Sequence, residues 1–441
     1  MRPTSLNVLH VSIADDFAGG ASRASYRIHR SLAELPAGQG IRSIMLVGRK
    51  HGSDSSVHPI ETSRPGQIFA NSMAKVAARE LYLFRTENPM FHSTSRFPTA
   101  ALRRIHQIDP DIVILHLLGD RSLSIRQVGR LLSGARPVAW VLHDSWAFCG
   151  AEHHPHWQGD SRFIEGYTRS NRLKAERGVD MNRRTWRRKY RHWKHPAYLI
   201  APSRWMAKWA NESALMASWP TTVIPNPIDT SWWGALSRSE ARARLGIPQD
   251  RKIILFGANG GEQNEIKGAD LLRQALPRVV EEMLAMRHPS PEFLTFGGPP
   301  SVAHVAGITV RSVGRLDDDG LRLHYSAADV MVVPSRQESF GQTASEAMAC
   351  GTPVVAFSIG GLLDIIDDGV NGRLVDPFDI QKLAEAIVWA LSDSERHSRL
   401  SQAARQLAFR MDQRRVGALY AGHLQQVVAI NRFRAGEDSS L

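Results

Sequence analysis

The stretch DVMVVPSRQESFGQTASEAMACGTPVVAF, residues 329–357, decides how the chain is read. Val330 to Val333 is a short apolar run of the kind that forms a buried strand. Pro334 and Ser335 end it. Gly341 opens a helix whose apolar positions include Ala344, Ala347 and Met348, and Gly351 and Pro353 stop that helix. Val354 to Phe357 begins the next strand. The unit is strand, loop, helix, strand. It holds two acids: Glu338 in the loop and Glu346 inside the helix. At roughly 1.5 Å per residue they lie about two turns apart, too far for an acid/base pair on one helical face. Their spacing suits a ligand about a dozen ångströms long lying across the helix N-terminus, where unpaired N–H groups favour phosphate. Glu338 would then hold sugar hydroxyls and Glu346 a ribose. The small residues Ser339 and Gly341 would let backbone amides approach a diphosphate.

The order of residues Glu338, Ser339, Phe340, Gly341, Glu346, Ala347, Gly351, Thr352 and Pro353 resembles the donor-sugar motif of retaining glycosyltransferases of family 4 (glycosyl transferases group 1), which have the GT-B fold. The resemblance implies an α/β protein with two Rossmann-like domains facing across an interdomain cleft. It also implies a nucleotide diphosphate sugar as donor. Within the family the likeness is to the exopolysaccharide and colanic-acid type.

Bounds from composition agree with such a protein. The 441 residues suffice for two cores. The N-terminus lacks the apolar segment of a signal peptide, and no window approaches a membrane span. Cys149 and Cys350 form neither a disulfide framework nor a metal-spacing motif, so a reducing, cytoplasmic compartment is expected. The net charge of +12 is uneven. Residues 1–225 hold 32 Lys and Arg against 17 Asp and Glu, and the remainder is slightly acidic. A basic N-terminal half points to a polyanion: an anionic membrane at the cytoplasmic face of the inner membrane, or a lipid diphosphate. No recognition motif supports nucleic acid.

Taken in order, Leu6 to Val11 is a first strand and Ala21 to Leu35 a helix. Gly19-Gly20 between them puts bare backbone at a helix N-terminus, at the strand end where open α/β sheets bind ligands. In that place it resembles the family's glycine loop. No Gly-x-Gly-x-x-Gly is present, which argues against a nicotinamide site. Residues 51–100 read as irregular apart from a helix around Ser72 to Leu83. Val138 to Leu142 is a strand that runs into His143 and Asp144. The resemblance makes His143 a donor-sugar contact, and Asp144 is placed to orient the acceptor hydroxyl or take its proton. His116, His153 and His154 are acceptor-side candidates. Trp186, Tyr190 and Trp193 fall on one stripe of the basic segment Arg183 to His195. That stripe suits either a membrane surface or docking on the N-terminal core.

Pro225-Asn226-Pro227 marks a stiff domain junction. The expected organisation is an acceptor-binding domain over 1–226, a nucleotide-sugar domain over 227–410, and a segment, 411–441, that crosses back as a helix. In the second domain Lys267 matches the family's diphosphate-binding lysine. Ala258 or Asn259 stands where its arginine would be, with Arg336 a candidate replacement. Arg315 and Leu316 match the loop that meets the base. The catalytic candidates are His143, Glu338, Lys267 and Asp144. The donor-binding candidates are Gly19, Gly20, Arg315, Leu316, Ser339, Phe340, Gly341, Gln342 and Glu346. No motif requires a metal or a further cofactor. The acceptor is expected to be a saccharide, lipid-linked, in cell-envelope or exopolysaccharide assembly. A nucleotide-sugar 2-epimerase and a non-catalytic saccharide-binding protein are the alternatives on the same architecture.

Overall fold

Runs of β-branched and aliphatic residues without polar alternation demand burial on both faces, and parallel sheets covered by helices provide it. The computed structural model describes residues 5–15, 19–36, 40–157, 159–305 and 307–436. It divides into two compact units, Met1–Pro227 with Arg414–Leu441, and Ile228–Gln413. Each is built on one seven-stranded sheet.

In the first unit the order across the sheet is Val57–Pro59, Ile41–Arg49, Leu6–Ala14, Ile112–Leu115, Val138–Val141, Tyr198–Ala201 and Thr221–Val223, all parallel. The chain starts in the middle, steps outward, returns and steps the other way. The reversal falls between Leu6–Ala14 and Ile112–Leu115, and ligands of open α/β sheets bind at the strand C-termini beside such a reversal.

The second unit repeats the plan. Its order is Ser301–Val305, Ile308–Ser312, Glu292–Phe296, Ile253–Gly257, Val330–Val333, Val354–Phe357 and Gly372–Val375, with Ser301–Val305 the antiparallel strand. Here the reversal lies between Ile253–Gly257 and Val330–Val333. The loops that leave those two strands carry Lys267 and Glu338. Asp329 closes the other end of Val330–Val333. Its fully buried carboxylate accepts from Arg242 Nη2 at 2.7 Å and from the Ile253 amide at 2.6 Å.

The helix Gln413–Ala435 returns to the first unit, where Val416, Tyr420, Leu424 and Val427 pack with Leu6, Val8, Ile28 and Ile112 in one core. The unit boundaries fall after Pro227 and after Gln413. No helix among the described residues is long and apolar enough to cross a membrane.

Two expectations need correction. Residues 51–100 are not largely irregular. They contain the strand Val57–Pro59, the helix Arg64–Leu81 and the two-residue strand Phe84–Arg85, which pairs with Arg177–Gly178. The helix begins eight residues before the expected Ser72 because the Ser63 hydroxyl caps it by accepting from the Gly66 amide, with Pro in its first turn. The aromatic stripe of residues 186–193 is also broken. The helix Met181–His192 turns Met181, Asn182, Thr185 and Lys189 inward. Trp193 lies past its end, buried, with its indole N–H donating to the Ile125 carbonyl at 2.9 Å. Trp186 is partly buried against the first unit's core, and Tyr190, stacked on it with ring centroids 5.2 Å apart, is exposed.

Candidate functional site

In the second unit the geometry begins with backbone. Gly341 takes the left-handed conformation, φ 106°, and forms the N-terminal cap of the helix Gln342–Ala349. A side chain there would meet Leu362 and Ile365 at about 3 Å, so only glycine turns the chain from loop to helix at this point. Phe340 is buried in the core beneath, which pins the loop and leaves Glu338 on its outer side. The Gly361 amide donates to the Glu338 carbonyl at 2.8 Å, fastening the loop to the turn after Val354–Phe357.

Lys267 arrives from the neighbouring strand on the short turn Glu265–Lys267. Gly268 follows with φ 70°, and a Cβ there would lie 1.9 Å from the Pro334 carbonyl. That close approach holds the two loops side by side, and the Arg336 amide donates to the Ile266 carbonyl at 2.7 Å across them. Lys267 Nζ thereby donates to Glu338 Oε2 at 2.6 Å. The pair is partly buried, with the lysine 29% and the carboxylate 12% exposed.

Arg336, the candidate for the missing arginine's place, is engaged by other groups. Its guanidinium makes a two-pronged ion pair with Asp270, at 2.8 and 2.6 Å, and also donates to the Glu265 carbonyl. These contacts tie the two loops together. Glu346 is 3% exposed and accepts from the Tyr325 hydroxyl at 3.0 Å. Ser339 is buried and Gln342 half-buried beside it. Arg315 is exposed and Leu316 half-buried, following Gly314. Of the candidates read from sequence, the structure brings Lys267 and Glu338 together. It keeps Glu346 on the expected helix but sets it inward.

The first unit carries a separate group around its own reversal point. Gly19 caps the helix Gly20–Ala33 with φ 115°, and a side chain at Gly20 would meet nothing within 4 Å. His143, two residues beyond Val138–Val141, is 8% exposed. Its Nε2 lies 2.9 Å from His116 Nδ1 and 3.2 Å from Ser25 Oγ. Burial lowers its pKa to about 4, against which the nearby Asp144 charge works only partly. The imidazole is thus neutral near pH 7.

Asp144 is held by His153, whose Nδ1 lies 2.5 Å from Oδ2, and by the Trp146 amide at 3.0 Å. Burial raises its carboxyl, but His153 more than offsets this, and the group titrates below the usual carboxylate range. Such an anion is a poor proton acceptor, which speaks against Asp144 as a base and for it as a brace of the loop. His153 in turn bonds Ser93 Oγ at 3.0 Å and is buried in that brace.

Sequence reading misses what sits behind these groups. Lys189 is fully buried, with Nζ donating to the Cys149 carbonyl at 3.1 Å, the Gly150 carbonyl at 2.7 Å and the Trp146 carbonyl. It clamps the loop that follows His143. The run of arginines around it conceals its inward place on the helix. His10 and Ser25, behind His143, read in sequence simply as members of an apolar strand and a helix.

Two Rossmann-like sheets with loops gathered at their reversal points define the GT-B class. Solved structures share the fold. Sucrose-phosphate synthase from Thermosynechococcus elongatus aligns over 97% of this chain and 100% of its own, TM-score 0.66 at 18% identity. The Anabaena protein HepE in complex with UDP aligns over 96% and 100%, TM-score 0.58 at 18% identity.

The family model of Glycosyltransferase Family 4 matches residues 18–232, and that of Glycosyl transferases group 1 matches residues 237–407. With nearly its whole length accounted for by this pair of models, the chain belongs to the family 4 glycosyltransferases. Curated relatives include the D-inositol 3-phosphate glycosyltransferases of Xylanimonas cellulosilytica, 40% identical over 175 residues, and Geodermatophilus obscurus, 37% identical over 200 residues. These matches cover 39% and 43% of this chain. The chain spans 41% and 43% of the length of those relatives.

Proposed function

We propose that this protein is a retaining glycosyltransferase that moves a sugar from a nucleotide diphosphate sugar to a saccharide acceptor. The observation that carries the reading is the Lys267–Glu338 pair at the reversal point of the second sheet, beside the Gly341 helix tip. The lysine and the helix amides suit two phosphates, and the carboxylate suits sugar hydroxyls. Family membership supports the same assignment.

The chemistry follows from charge. As the bond from C1 of the sugar to the phosphate oxygen breaks, negative charge grows on the diphosphate. Lys267 and the amides at Gly341 and Gln342 stabilise it, the kind of preorganised electrostatics that usually contributes most to such a rate. The acceptor hydroxyl forms its bond to C1 on the same face, and its proton passes to the departing phosphate oxygen. Configuration is retained without a protein nucleophile. Lys267, the helix amides and this proton path call for no metal.

For the acceptor we propose a phosphate-bearing molecule, with a lipid-linked saccharide of envelope or exopolysaccharide assembly as the leading case. A groove of about 630 Å³ in the first unit supports this choice. It is lined by Arg169, Arg183, Arg187, Arg191 and Lys194 with the stacked rings of Trp186 and Tyr190, and no carboxylate. The same groove suits the anionic cytoplasmic face of a membrane, to which the protein would bind peripherally. The names of the curated relatives favour a second acceptor, a phosphorylated cyclitol.

Incubation with a panel of nucleotide sugars, alone, with membrane lipid extract and with inositol phosphate, separates the readings when nucleoside diphosphate and the sugar product are both identified. Release that depends on an acceptor supports transfer. A rearranged nucleotide sugar or free epimer without acceptor would point to a 2-epimerase. Binding without turnover would leave a saccharide-binding protein.

A further inference from the structure

We propose that His10 and His116 act as positioning residues that fix the tautomer of His143, so that its Nδ1 carries the proton and is offered outward as a hydrogen-bond donor. The inference rests on the transferase reading above for its purpose, but not for its geometry.

Three imidazoles run in line through the centre of the first unit. His10 lies within the strand Leu6–Ala14, His116 just past Ile112–Leu115, and His143 just past Val138–Val141. These are three adjacent strands of the sheet. His10 Nδ1 is 2.8 Å from His116 Nε2, and His116 Nδ1 is 2.9 Å from His143 Nε2. The rings follow one another edge to edge and nearly parallel, with centroids 5.1 and 5.2 Å apart and interplanar angles of 15° and 24°. His10 and His116 are sealed from water. Burial holds both well below the ordinary histidine range, and the neighbouring imidazoles reinforce this.

A neutral imidazole has one donor and one acceptor nitrogen, so the chain of bonds has only two proton arrangements. In one, the proton of each ring points away from His143. His143 Nε2–H donates to His116 or Ser25, His116 Nε2–H donates to His10, and His10 is left with its N–H on Nε2. Among the described residues no acceptor meets His10 Nε2. That arrangement buries an unmade N–H bond, which costs on the order of 1–3 kcal/mol. In the other, His10 Nδ1–H donates to His116 Nε2, and His116 Nδ1–H donates to His143 Nε2. His10 Nε2 then keeps an unused lone pair, and no N–H of His10 or His116 is left without an acceptor.

The groups around the chain agree with the second arrangement. His29 stands edge-on to His10, with its own two nitrogens engaged by Ser43 Oγ and Ser56 Oγ at 2.8 Å each, so it offers His10 no partner. Ser25 Oγ is the exception: with its proton on the Ala21 carbonyl at 2.8 Å it would accept from His143 Nε2–H, but its 3.2 Å contact is longer than the 2.9 Å from His116. Asp144, the charged neighbour of His143, is occupied by His153 and the Trp146 amide. His143 Nδ1 makes no hydrogen bond within the described residues and remains for a ligand. A neutral donor at that atom suits a hydroxyl oxygen of a bound saccharide and does not accept a proton.

Long-range 1H–15N NMR of the imidazoles in the intact protein at pH 7.5 reads the tautomer directly, with His143 assigned by its absence in His143→Gln. The expected spectrum shows His143 protonated at Nδ1. His116→Asn keeps an N–H close to the Nδ1 position and should preserve that spectrum and turnover. His116→Phe and, one step further back, His10→Phe should let the Nε2-protonated form appear and lower nucleoside diphosphate release about tenfold. Nε2-protonated His143 in the unaltered protein, or an unchanged tautomer in both phenylalanine variants, would overturn the proposal. So would a changed tautomer with unchanged turnover. Failure of the unaltered protein to turn over any nucleotide sugar would instead strike the transferase reading, and the tautomer measured by NMR would still decide the proposal's geometry.

Discussion

Lys267 Nζ and Glu338 Oε2, from loops that leave two adjacent strands, lie 2.6 Å apart. Exposed ion pairs contribute about 0–1 kcal/mol to stability, and this partly buried one also bears a desolvation cost. Their position at the sheet's reversal point is therefore better explained by ligand binding than by folding. Lys267→Ala and Glu338→Ala should each lower nucleotide-sugar turnover by about tenfold or more, near 1.4 kcal/mol of transition-state stabilisation. Thermal unfolding should shift little. Wild-type rates in both would discredit the site.

Gly268 tests the same geometry without touching a charged group. A methyl at this position would sit 1.9 Å from the Pro334 carbonyl, at a positive φ. Gly268→Ala should separate the two loops, cost about 1 kcal/mol or more of stability and raise the KM for donor. Steady-state kinetics over a range of donor concentrations would show whether KM moves.

The buried Arg242–Asp329 pair predicts the opposite pattern. Asp329 also accepts from the Ile253 amide and meets Arg238 at 2.9 Å. Arg242→Met leaves a buried carboxylate short of its main partner and should destabilise the second unit by about 3–5 kcal/mol. Denaturant unfolding followed by tryptophan fluorescence checks this. At a temperature where the variant stays folded, turnover should remain near normal.

Stability should fall on acidification through the histidine range. Burial lowers the folded pKa of His29 and His143 to about 4, from an ordinary 6.5. Below pH 6.5 the unfolded chain takes up protons that the folded chain refuses. The contribution of each group is therefore fully present above 6.5 and shrinks as pH falls from 6.5 towards 4. Each adds a slope of up to about 1.4 kcal/mol per pH unit. Unfolding midpoints at pH 7.5, 6 and 5 measure the effect, and His29→Asn should make the decline shallower.

Charge reversal at Arg187 and Arg191, both on the groove of the helix Met181–His192, should weaken association with anionic vesicles at low salt. Sedimentation with vesicles that contain anionic lipid gives the partition directly. Unchanged partitioning would leave the groove without a membrane role.

How much of this is legible in the sequence depends on how each segment is buried. Val330–Val333 and Val354–Phe357 are covered on both faces, so their composition alone shows them, and Gly341 and Gly351 punctuate the helix between. The helix Arg64–Leu81 is harder because only Ala70 and Ala77 along it are buried, leaving almost no apolar period to read. In Met181–His192 the visible aromatic pattern misleads, since the inward face is Met181, Asn182, Thr185 and Lys189. Lys189 is buried because three loop carbonyls solvate its ammonium, a partnership between residues about 40 apart in the chain. The histidine line is equally hidden. Its members are far apart in the chain and meet only because the sheet's strand order puts them side by side.

The most direct test of the donor site is calorimetric titration of a nucleoside diphosphate into the unaltered protein and into Lys267→Ala. The expected result is saturable binding to the unaltered protein, weakened about tenfold or more by the substitution. Equal affinities, or no binding to the unaltered protein by any nucleoside diphosphate, would contradict the placing of donor phosphates at the Gly341 helix tip.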